Sequence, residues 1–260
     1  MLKSITAAQR LDSRGKPTVQ VRVTTEHGIF QAIVPSGASK GDYEACELRD
    51  EDKAAYQGNG VLKAVSNIET IIAPVLLKSG FHVGTDIRKI DSLMREIDGT
   101  ADKSRLGANA ILAVSMACAR AGSAAKAIPL YDFLRKEAGL PEASYVLPVP
   151  FFNVLNGGVH SGNTMAFQEF MIAPTGANSM ADAVRIGSEV YQELKKVVKE
   201  KFGQSATTLD SRVSLKQYYH KKNFPSFIMG LYRNTPLYCS KTHLRRMTGQ
   251  HGPHLMKTAR

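Results

Sequence analysis

Hydrophobic and polar positions alternate in short runs over the first 34 residues. The alternation is clearest over Thr18–Thr24, and it also marks an opening run to Arg10 and residues 29–34. A period of two is typical of strands with one buried face. Glu26-His27-Gly28 supplies a turn between the second and third runs. We therefore predict a three-stranded antiparallel meander.

A loop interrupts this pattern over Pro35-Ser-Gly-Ala-Ser-Lys-Gly41, and a charged stretch follows to about Lys53. Small, turn-forming residues are typical of surface loops, so we expect this segment to be mobile. Its hydroxyls and backbone oxygens could also ligate a hard cation or lie over a phosphate. Composition alone favours an ordinary loop.

Helical spacing of apolar residues follows this loop. The predicted helices span Val61–Val75, Asp86–Gly99 and Ala108–Ala125. Pro74 should kink or end the first of them, because proline lacks a backbone N–H and clashes with the preceding turn. Residues 1–140 are therefore predicted to form an α+β domain with its own core.

A second domain is predicted after the proline-containing stretch 141–150. The predicted elements there are strands at Phe151–Leu155 and Phe167–Ile172 and an amphipathic helix over about Met180–Phe202. Beyond Ala206 no period of 2 or 3.6 is sustained. We therefore predict a disordered tail over residues 207–260.

Composition and charge narrow the class of protein. The chain is 43% hydrophobic, and its longest uncharged helix-like run, Leu106–Ala119, is too short to cross a bilayer. No secretory signal begins the sequence, so we predict a cytoplasmic protein. The cysteines are odd in number and widely spaced, which favours reduced thiols over disulfides or a zinc site. They are Cys46, Cys118 and Cys239.

Two polar segments could carry chemistry in the second domain. His160 follows an Asn-Gly pair, which is a hairpin signal, and a lone histidine is usually structural. Gln168 and Glu169 interrupt an apolar strand, and one of them could face inward. A buried carboxylate requires a partner or a function, so this pair is the more informative.

Several motifs, taken in their order along the chain, resemble the signatures of the enolase family. They are Asp12-Ser-Arg-Gly-Lys-Pro-Thr18, Val34-Pro-Ser-Gly-Ala-Ser39, Leu106-Gly-Ala-Asn-Ala-Ile-Leu112, Leu147-Pro-Val-Pro-Phe151, Asn153-Val-Leu-Asn-Gly-Gly158, Gln168-Glu-Phe-Met-Ile-Ala-Pro-Thr-Gly176 and Gly187-Ser-Glu-Val-Tyr191. The resemblance covers residues 1–206. It implies an α+β capping domain over 1–140 followed by an incomplete α/β (TIM-type) barrel fragment over 141–206.

The family converts 2-phosphoglycerate to phosphoenolpyruvate in glycolysis by removing a proton next to a carboxylate. The charge of the aci-carboxylate intermediate explains why the family needs two Mg²⁺ ions and a lysine base. On matching positions, the resemblance implies that Ser39 closes over the site and helps to ligate the second Mg²⁺. It also implies that His160 lies near the phosphate and reacting carbon. Glu169, with Gln168 beside it, would contact the departing hydroxyl.

The resemblance stops after Ala206. The family places Asp-Glu-Gly-Gly shortly after this point, whereas Thr207-Thr-Leu-Asp-Ser-Arg212 follows here. The carboxylates of the first Mg²⁺ site, the lysine base and the later substrate contacts come from barrel strands that this sequence does not contain. Their joint loss should abolish turnover, so we predict a truncated, inactive pseudoenzyme.

An incomplete barrel has consequences for association. An open sheet edge and uncovered apolar faces predict aggregation, degradation or dependence on a partner. The family homodimer packs the N-terminal domain of one subunit against the barrel of the other with ion pairs. Arg14 is retained, but Gln20 replaces the usual acidic residue, which argues against this dimer.

The tail has two interpretations. It contains 10 basic residues and only Asp210 as an acidic one, a net charge of +9, whereas residues 1–206 contain 24 basic and 22 acidic residues, a net charge of +2; most of the net charge of +11 therefore belongs to the tail. Basic residues interleaved with Tyr and Phe could bind nucleic acid. No nucleic-acid-binding module surrounds them. We therefore favour an unspliced intron or a shifted reading frame and expect no nucleic-acid partner.

Overall fold

The computed structural model describes residues 1–37, 41–142, 144–156 and 169–203. The chain divides into two compact units, one formed by Met1–Ala143 and one that begins at Ser144. Within the described ranges, no single helix is long and apolar enough to span a membrane. One helix pair, Ala108–Ala125 with Leu130–Glu137, meets that length and composition only when taken together, and it is bent by 104°.

The first unit opens with the predicted antiparallel meander. The strands are β1 (Leu2–Leu11), β2 (Pro17–Thr25) and β3 (Gly28–Ile33), in the spatial order β1-β2-β3. Val19, Val21 and Val23 alternate along β2 and are fully buried. Their period of two places all three on one face of the sheet, as the sequence pattern predicts. The meander prediction is confirmed.

Helices pack against this sheet or against one another. They are α1 (Leu62–Asn67), α2 (Ala73–Lys78), α3 (Ile87–Asp98), α4 (Ala108–Ala125) and α5 (Leu130–Glu137). Helices α1, α2 and α4 contact the strands, whereas α3 and α5 pack against α4. Helix α4 contacts β2, β3, α3 and α5 and is the centre of the core. Its small residues permit this close approach: a Cβ at Gly122 would lie 2.5 Å from the Val83 carbonyl oxygen and 2.6 Å from the Phe133 ring.

Pro74 does not end the first predicted helix. The segment Ile68–Ile72 forms a π-helical turn between α1 and α2, and Pro74 lies at the start of α2, which continues to Lys78. Widening the turn is a known way to accommodate a proline that lacks its N–H and crowds the preceding carbonyl. The sequence analysis also missed α5 and the short 3₁₀ turn Tyr56–Gly58.

The described part of the second unit contains β4 (Phe152–Asn156), β5 (Glu169–Ile172) and α6 (Met180–Phe202). The two strands pair antiparallel. This pairing differs from the parallel order of a TIM barrel. The bounds of α6 agree with the predicted helix.

Candidate functional site

Arg14 lies beside the start of the small-residue loop at 35–41. The Asp12 carboxylate accepts hydrogen bonds from the backbone N–H groups of Arg14 at 2.8 Å and Lys16 at 2.9 Å, which closes a tight turn. These donors, together with the Arg14 guanidinium, lower the pKa of Asp12. Arg14 Nη2 also donates to the Ser36 carbonyl oxygen at 2.7 Å. The Asp12–Arg14 turn is therefore hydrogen-bonded to the loop at Ser36.

Arg49 also hydrogen-bonds to Ser36 in this loop. Its Nη2 donates to Glu47 Oε1 at 2.6 Å and to Ser36 Oγ at 3.1 Å. Its Nη1 donates to the carbonyl oxygens of Pro17 at 2.6 Å and Asn59 at 2.7 Å. Ser36 Oγ in turn donates to Glu47 Oε1 at 3.0 Å. Such charge-assisted bonds are stronger than neutral ones, so Ser36 has well-defined surroundings.

Hydrogen bonds join the charged stretch after this loop to α4, and its mobility stays a prediction. Leu48 N donates to Asn109 Oδ1 at 3.1 Å, and Asn109 Nδ2 donates to the Leu48 carbonyl oxygen at 3.0 Å. Backbone bonds also join Cys46 to Asp102 and Ala108. A loop composition does not reveal such bonds, because their partners lie some 60 residues away in the sequence.

Gly107 explains part of the Leu106–Leu112 motif. Its φ of +97° lies in a region that favours glycine, and a Cβ there would approach Asn109 Oδ1 to 2.5 Å and Leu48 Cβ to 2.7 Å. Leu106 is fully buried. The motif therefore works as a structural anchor for residues 46–50, and not as a set of side chains that touch a substrate.

Asp50 fixes the end of this anchored stretch against α1. Its two carboxylate oxygens accept hydrogen bonds from the backbone N–H groups of Leu62 and Lys63, both at 2.8 Å. These N–H groups belong to the first turn of α1, where intrahelical acceptors are missing. A carboxylate there also interacts favourably with the helix dipole. Residues 46–50 thus connect the first turns of α1 and α4.

Glu169 is the one predicted site residue that lies within the described ranges. It is the first residue of β5 and pairs with Asn156 of β4. Its side chain is exposed, whereas Phe170 and Ile172 are buried. Glu169 is therefore not the inward-facing member of the Gln168–Glu169 pair in this unit, because the alternation of β5 directs Phe170 and Ile172 into its core. Ser39, His160 and Gln168 lie outside the described residues.

The Gly187 motif has a packing role. A Cβ on Gly187 would lie 2.6 Å from the Phe152 ring, so glycine lets α6 approach β4 closely. Ser179 caps the start of α6 by accepting a hydrogen bond from Asp182 N at 3.1 Å. Asn153 Nδ2 donates to Asn156 Oδ1 at 2.7 Å within β4.

The implied magnesium site cannot be assembled from the described residues. Across those ranges, no three His, Cys, Asp or Glu side chains converge in a way that could hold a metal ion. Ser39, the one Mg²⁺ ligand that the resemblance carries over, is outside those ranges. We therefore derive no chemical step through a metal from this geometry.

Comparison with family models identifies both units. An α+β unit with a three-stranded meander, followed by a unit that starts with strands and a helix, fits a capped barrel protein. Residues 2–134 match the model described as the enolase N-terminal domain. Residues 144–213 match the model described as the enolase C-terminal TIM barrel domain. The chain belongs to the enolase family.

The two matches differ in extent. A TIM barrel typically contains about 250 residues, so residues 144–213 correspond to only part of that domain. The match continues past Ala206, where the sequence analysis placed the end of the resemblance. The enolase family is magnesium-dependent and acts on 2-phosphoglycerate and phosphoenolpyruvate. Those are properties of the family; their transfer to this chain is a separate question.

Sequence reasoning missed the residues that support the loop. Arg49 and Asn109 make the long-range contacts, yet each looks like an ordinary polar residue in the sequence. Arg14 was interpreted through the family dimer, and its contacts with Asp12 and Ser36 within the first unit were not foreseen. The available signal was the position of Arg14 and Asn109 inside family motifs.

Proposed function

We propose that this chain holds one portion of an enolase site and does not catalyse the family reaction by itself. Ser39, His160 and Glu169, with Gln168 beside Glu169, are the retained substrate-side residues in this proposal. The observation that carries it is the extent of the barrel match, which ends at residue 213, before the later barrel strands that supply the lysine base and the first Mg²⁺ site in the family. The chain is thus an enolase-family pseudoenzyme.

The chemistry explains why the retained residues do not suffice. Dehydration of 2-phosphoglycerate requires loss of a weakly acidic proton next to a carboxylate, followed by departure of hydroxide. When bound, two Mg²⁺ ions stabilise the charge that accumulates on the carboxylate. The residues of this chain offer contacts near the phosphate and the hydroxyl. A base for the first proton and ligands for the first metal are not among them, and general-base catalysis alone contributes about 10²–10⁴-fold.

An activity assay tests this proposal directly. The purified chain is incubated with Mg²⁺ and 2-phosphoglycerate, and phosphoenolpyruvate is followed by its ultraviolet absorbance. A complete enolase in the same buffer is the positive control. We expect no product above the no-enzyme rate. Turnover that is lost when Glu169 is replaced by Gln would contradict the proposal, since it would show a working site in this chain.

The origin of the tail has its own test. We propose that residues 207–260 come from an unspliced intron or a shifted reading frame. The nucleotide sequence across codon 206 decides this point. Restoration of Asp-Glu-Gly-Gly in another frame, or after removal of an intron, is the expected result. A continuous coding frame with the tail conserved in the messenger RNA and in the isolated protein is the opposite result.

A second candidate function rests on the charge of the tail. Ten basic residues and one acidic residue over 207–260 would allow contacts with a nucleic-acid backbone. The affinity for RNA or DNA is measured against salt for the full chain and for residues 1–206. A steep salt dependence that disappears in the shorter chain would favour this function. Equal affinity and slope in both chains would exclude the tail as the binding element.

We also propose that the family homodimer does not form through Gln20. This residue is 8% exposed, and its Nε2 donates to Gln31 Oε1 at 3.3 Å. A neutral amide at this position cannot form an ion pair with a partner subunit. Sedimentation of the chain and of a Gln20→Glu variant tests the point, because only the variant restores the acidic residue. A stable dimer of the unaltered chain would overturn this expectation.

A further inference from the structure

Asp91 lies where α3 packs against α4 in the first unit. Its neighbours along α3, Ile90 and Met94, are fully buried, and Asp91 itself is half-buried. Helix α4 presents Ser115 and Cys118 to this region, and the Cys118 side chain is fully buried. A carboxyl group is therefore placed at an interface that is otherwise apolar or uncharged. Aspartate is uncommon in such positions unless it has a partner.

The Asp91 carboxyl lacks a full set of partners. Its Oδ1 is buried and has no hydrogen-bond partner among the described residues. Arg95, whose charge acts on Asp91, hydrogen-bonds to other atoms: Nε donates to the Asp91 backbone carbonyl oxygen at 3.3 Å and Nη2 to Ser92 Oγ at 3.1 Å. A buried, unpaired carboxylate oxygen is costly in a folded protein. This cost has no compensating ion pair in the described part of the chain.

Burial at this interface changes the pKa values of one group on each helix, Asp91 on α3 and Cys118 on α4. Burial raises the pKa of the Asp91 carboxyl, and the Ser115 hydroxyl and the Arg95 guanidinium oppose that effect. Burial also raises the pKa of the Cys118 thiol to about 12, and the negative charge of Asp91 acts in the same direction. Both groups are therefore best accommodated when they are neutral.

We propose that Asp91 is a proton-sensitive contact between α3 and α4, whose ionisation loosens these helices and increases the access of thiol reagents to Cys118. With the carboxyl protonated, the interface contains no net charge and packs closely. With the carboxyl ionised, a half-buried charge that Ser115 and Arg95 offset only in part opposes the packing. The neutral form thus favours a closed interface, and the ionised form favours local opening.

The direction of the pH dependence follows from linkage. A carboxyl whose folded pKa is raised contributes stability that is complete below its unfolded value of 3.8 and is lost as the pH rises through the folded pKa. The first unit should therefore gain stability at neutral pH when Asp91 is replaced by a neutral residue. The gain should shrink as the pH falls towards the ordinary value of 3.8, because protonation of Asp91 in the unaltered chain then removes its charge.

The experiment uses the full chain in a Cys46→Ser, Cys239→Ser background, so that Cys118 is the one thiol. Labelling by 4,4′-dithiodipyridine, which reacts at neutral and acid pH, reports local opening. Asp91→Asn is compared with Glu96→Gln, which removes an exposed carboxylate from the same helix. At pH 7 we expect Asp91→Asn to slow Cys118 labelling about fivefold or more and to raise the melting temperature by a few degrees. Glu96→Gln should change neither quantity.

Comparison at a single pH separates the proposal from ordinary thiol chemistry, since thiolate formation accelerates labelling at higher pH in every variant. A second variant, Asp91→Leu, is needed because the amide introduced by Asp91→Asn could itself lack hydrogen-bond partners and destabilise the interface. Slower labelling in both variants at pH 7, with the difference reduced at about pH 4, supports the proposal. Equal labelling of the unaltered chain and both variants at pH 7, or an equal difference at both pH values, overturns it.

Discussion

The two units differ in how much core supports their family motifs. In the first unit, strands β1–β3 and helices α1–α5 share one large cluster of buried hydrophobic side chains, and two of its buried polar residues, Asp98 and Asn109, are hydrogen-bonded to backbone groups. The described part of the second unit buries only a few: Leu155, Phe170, Ile172, Ala183, Leu194 and Val198. Family motifs run through both units. Among the described residues, the family motifs of the first unit are therefore supported by more buried side chains than those of the second.

The largest expected effect comes from removing a core phenylalanine in each unit. Phe133→Ala should lower the free energy of unfolding of the first unit by about 3–5 kcal/mol, because Phe133 is almost fully buried against α4. Phe170→Ala should leave that transition unchanged. Amide hydrogen exchange followed separately in α4 and α6 measures both effects. Loss of protection in α4 on Phe170→Ala would show that the comparison of two separate cores is mistaken.

Two helical glycines sharpen the comparison. Gly122→Ala should cost about 1–3 kcal/mol, since the new Cβ would lie 2.5 Å from the Val83 carbonyl oxygen in a closed core. Gly187→Ala meets the Phe152 ring at 2.6 Å, but this ring is half-buried and can move, so we expect a smaller loss confined to the second unit. Gly176→Ala, with no atom within 4 Å, is the control for the substitution itself. Urea unfolding followed by α4 and α6 exchange separates these cases.

Acid should affect the two units unequally through Asp98. Burial raises the pKa of Asp98, but hydrogen bonds from Thr100 and from the Leu106 N–H, with the charge of Arg105, outweigh it and lower the pKa below 3.8. Its stabilisation is therefore present above pH 3.8 and is lost as the pH falls through the lower folded value. Asp98→Asn should cost about 1–3 kcal/mol at pH 7.

Asp182→Asn is the matched change in the second unit. Arg185 lowers the pKa of Asp182, yet this carboxylate is at the surface, so its contribution is screened by solvent and salt. Urea titrations at pH 7 and at about pH 3 should show a large difference for Asp98→Asn that shrinks in acid. A pH-independent loss for Asp98→Asn would show that its charge is not the cause.

The smallest expected effect concerns the cap of α6. Ser179→Ala removes the acceptor for the Asp182 N–H and should cost about 1 kcal/mol, which we expect to appear as faster exchange in the first turn of α6. Ser188→Ala, at an exposed position in the same helix, should be close to neutral. Equal exchange in both variants would mean that the cap contributes nothing to stability. A change in α4 exchange would contradict the expectation that the two units unfold independently.

The sequence by itself determined the local elements of this protein and its family. Period-two runs located the meander, apolar spacing located α3, α4 and α6, and Gly99, with φ of +72°, ends α3 as predicted. These features depend on neighbours a few residues apart, which a sequence displays directly. The ordered motifs were specific enough to identify the enolase family. The roles proposed for Ser39, His160, Gln168 and Glu169 derive from that resemblance and stay predictions.

Only the tertiary structure decided what the polar residues do. Several polar contacts form only where distant segments of the chain meet. They are the hydrogen bonds of Arg49 with Pro17 and Asn59 and the pair of hydrogen bonds between Leu48 and Asn109. The burial of the unpaired Asp91 oxygen has the same origin. A linear pattern records which residues are polar but not which donors and acceptors come within 3 Å of each other. For this reason the composition of residues 35–53 predicts a mobile loop and does not reveal the hydrogen bonds that join residues 46–50 to α1 and α4.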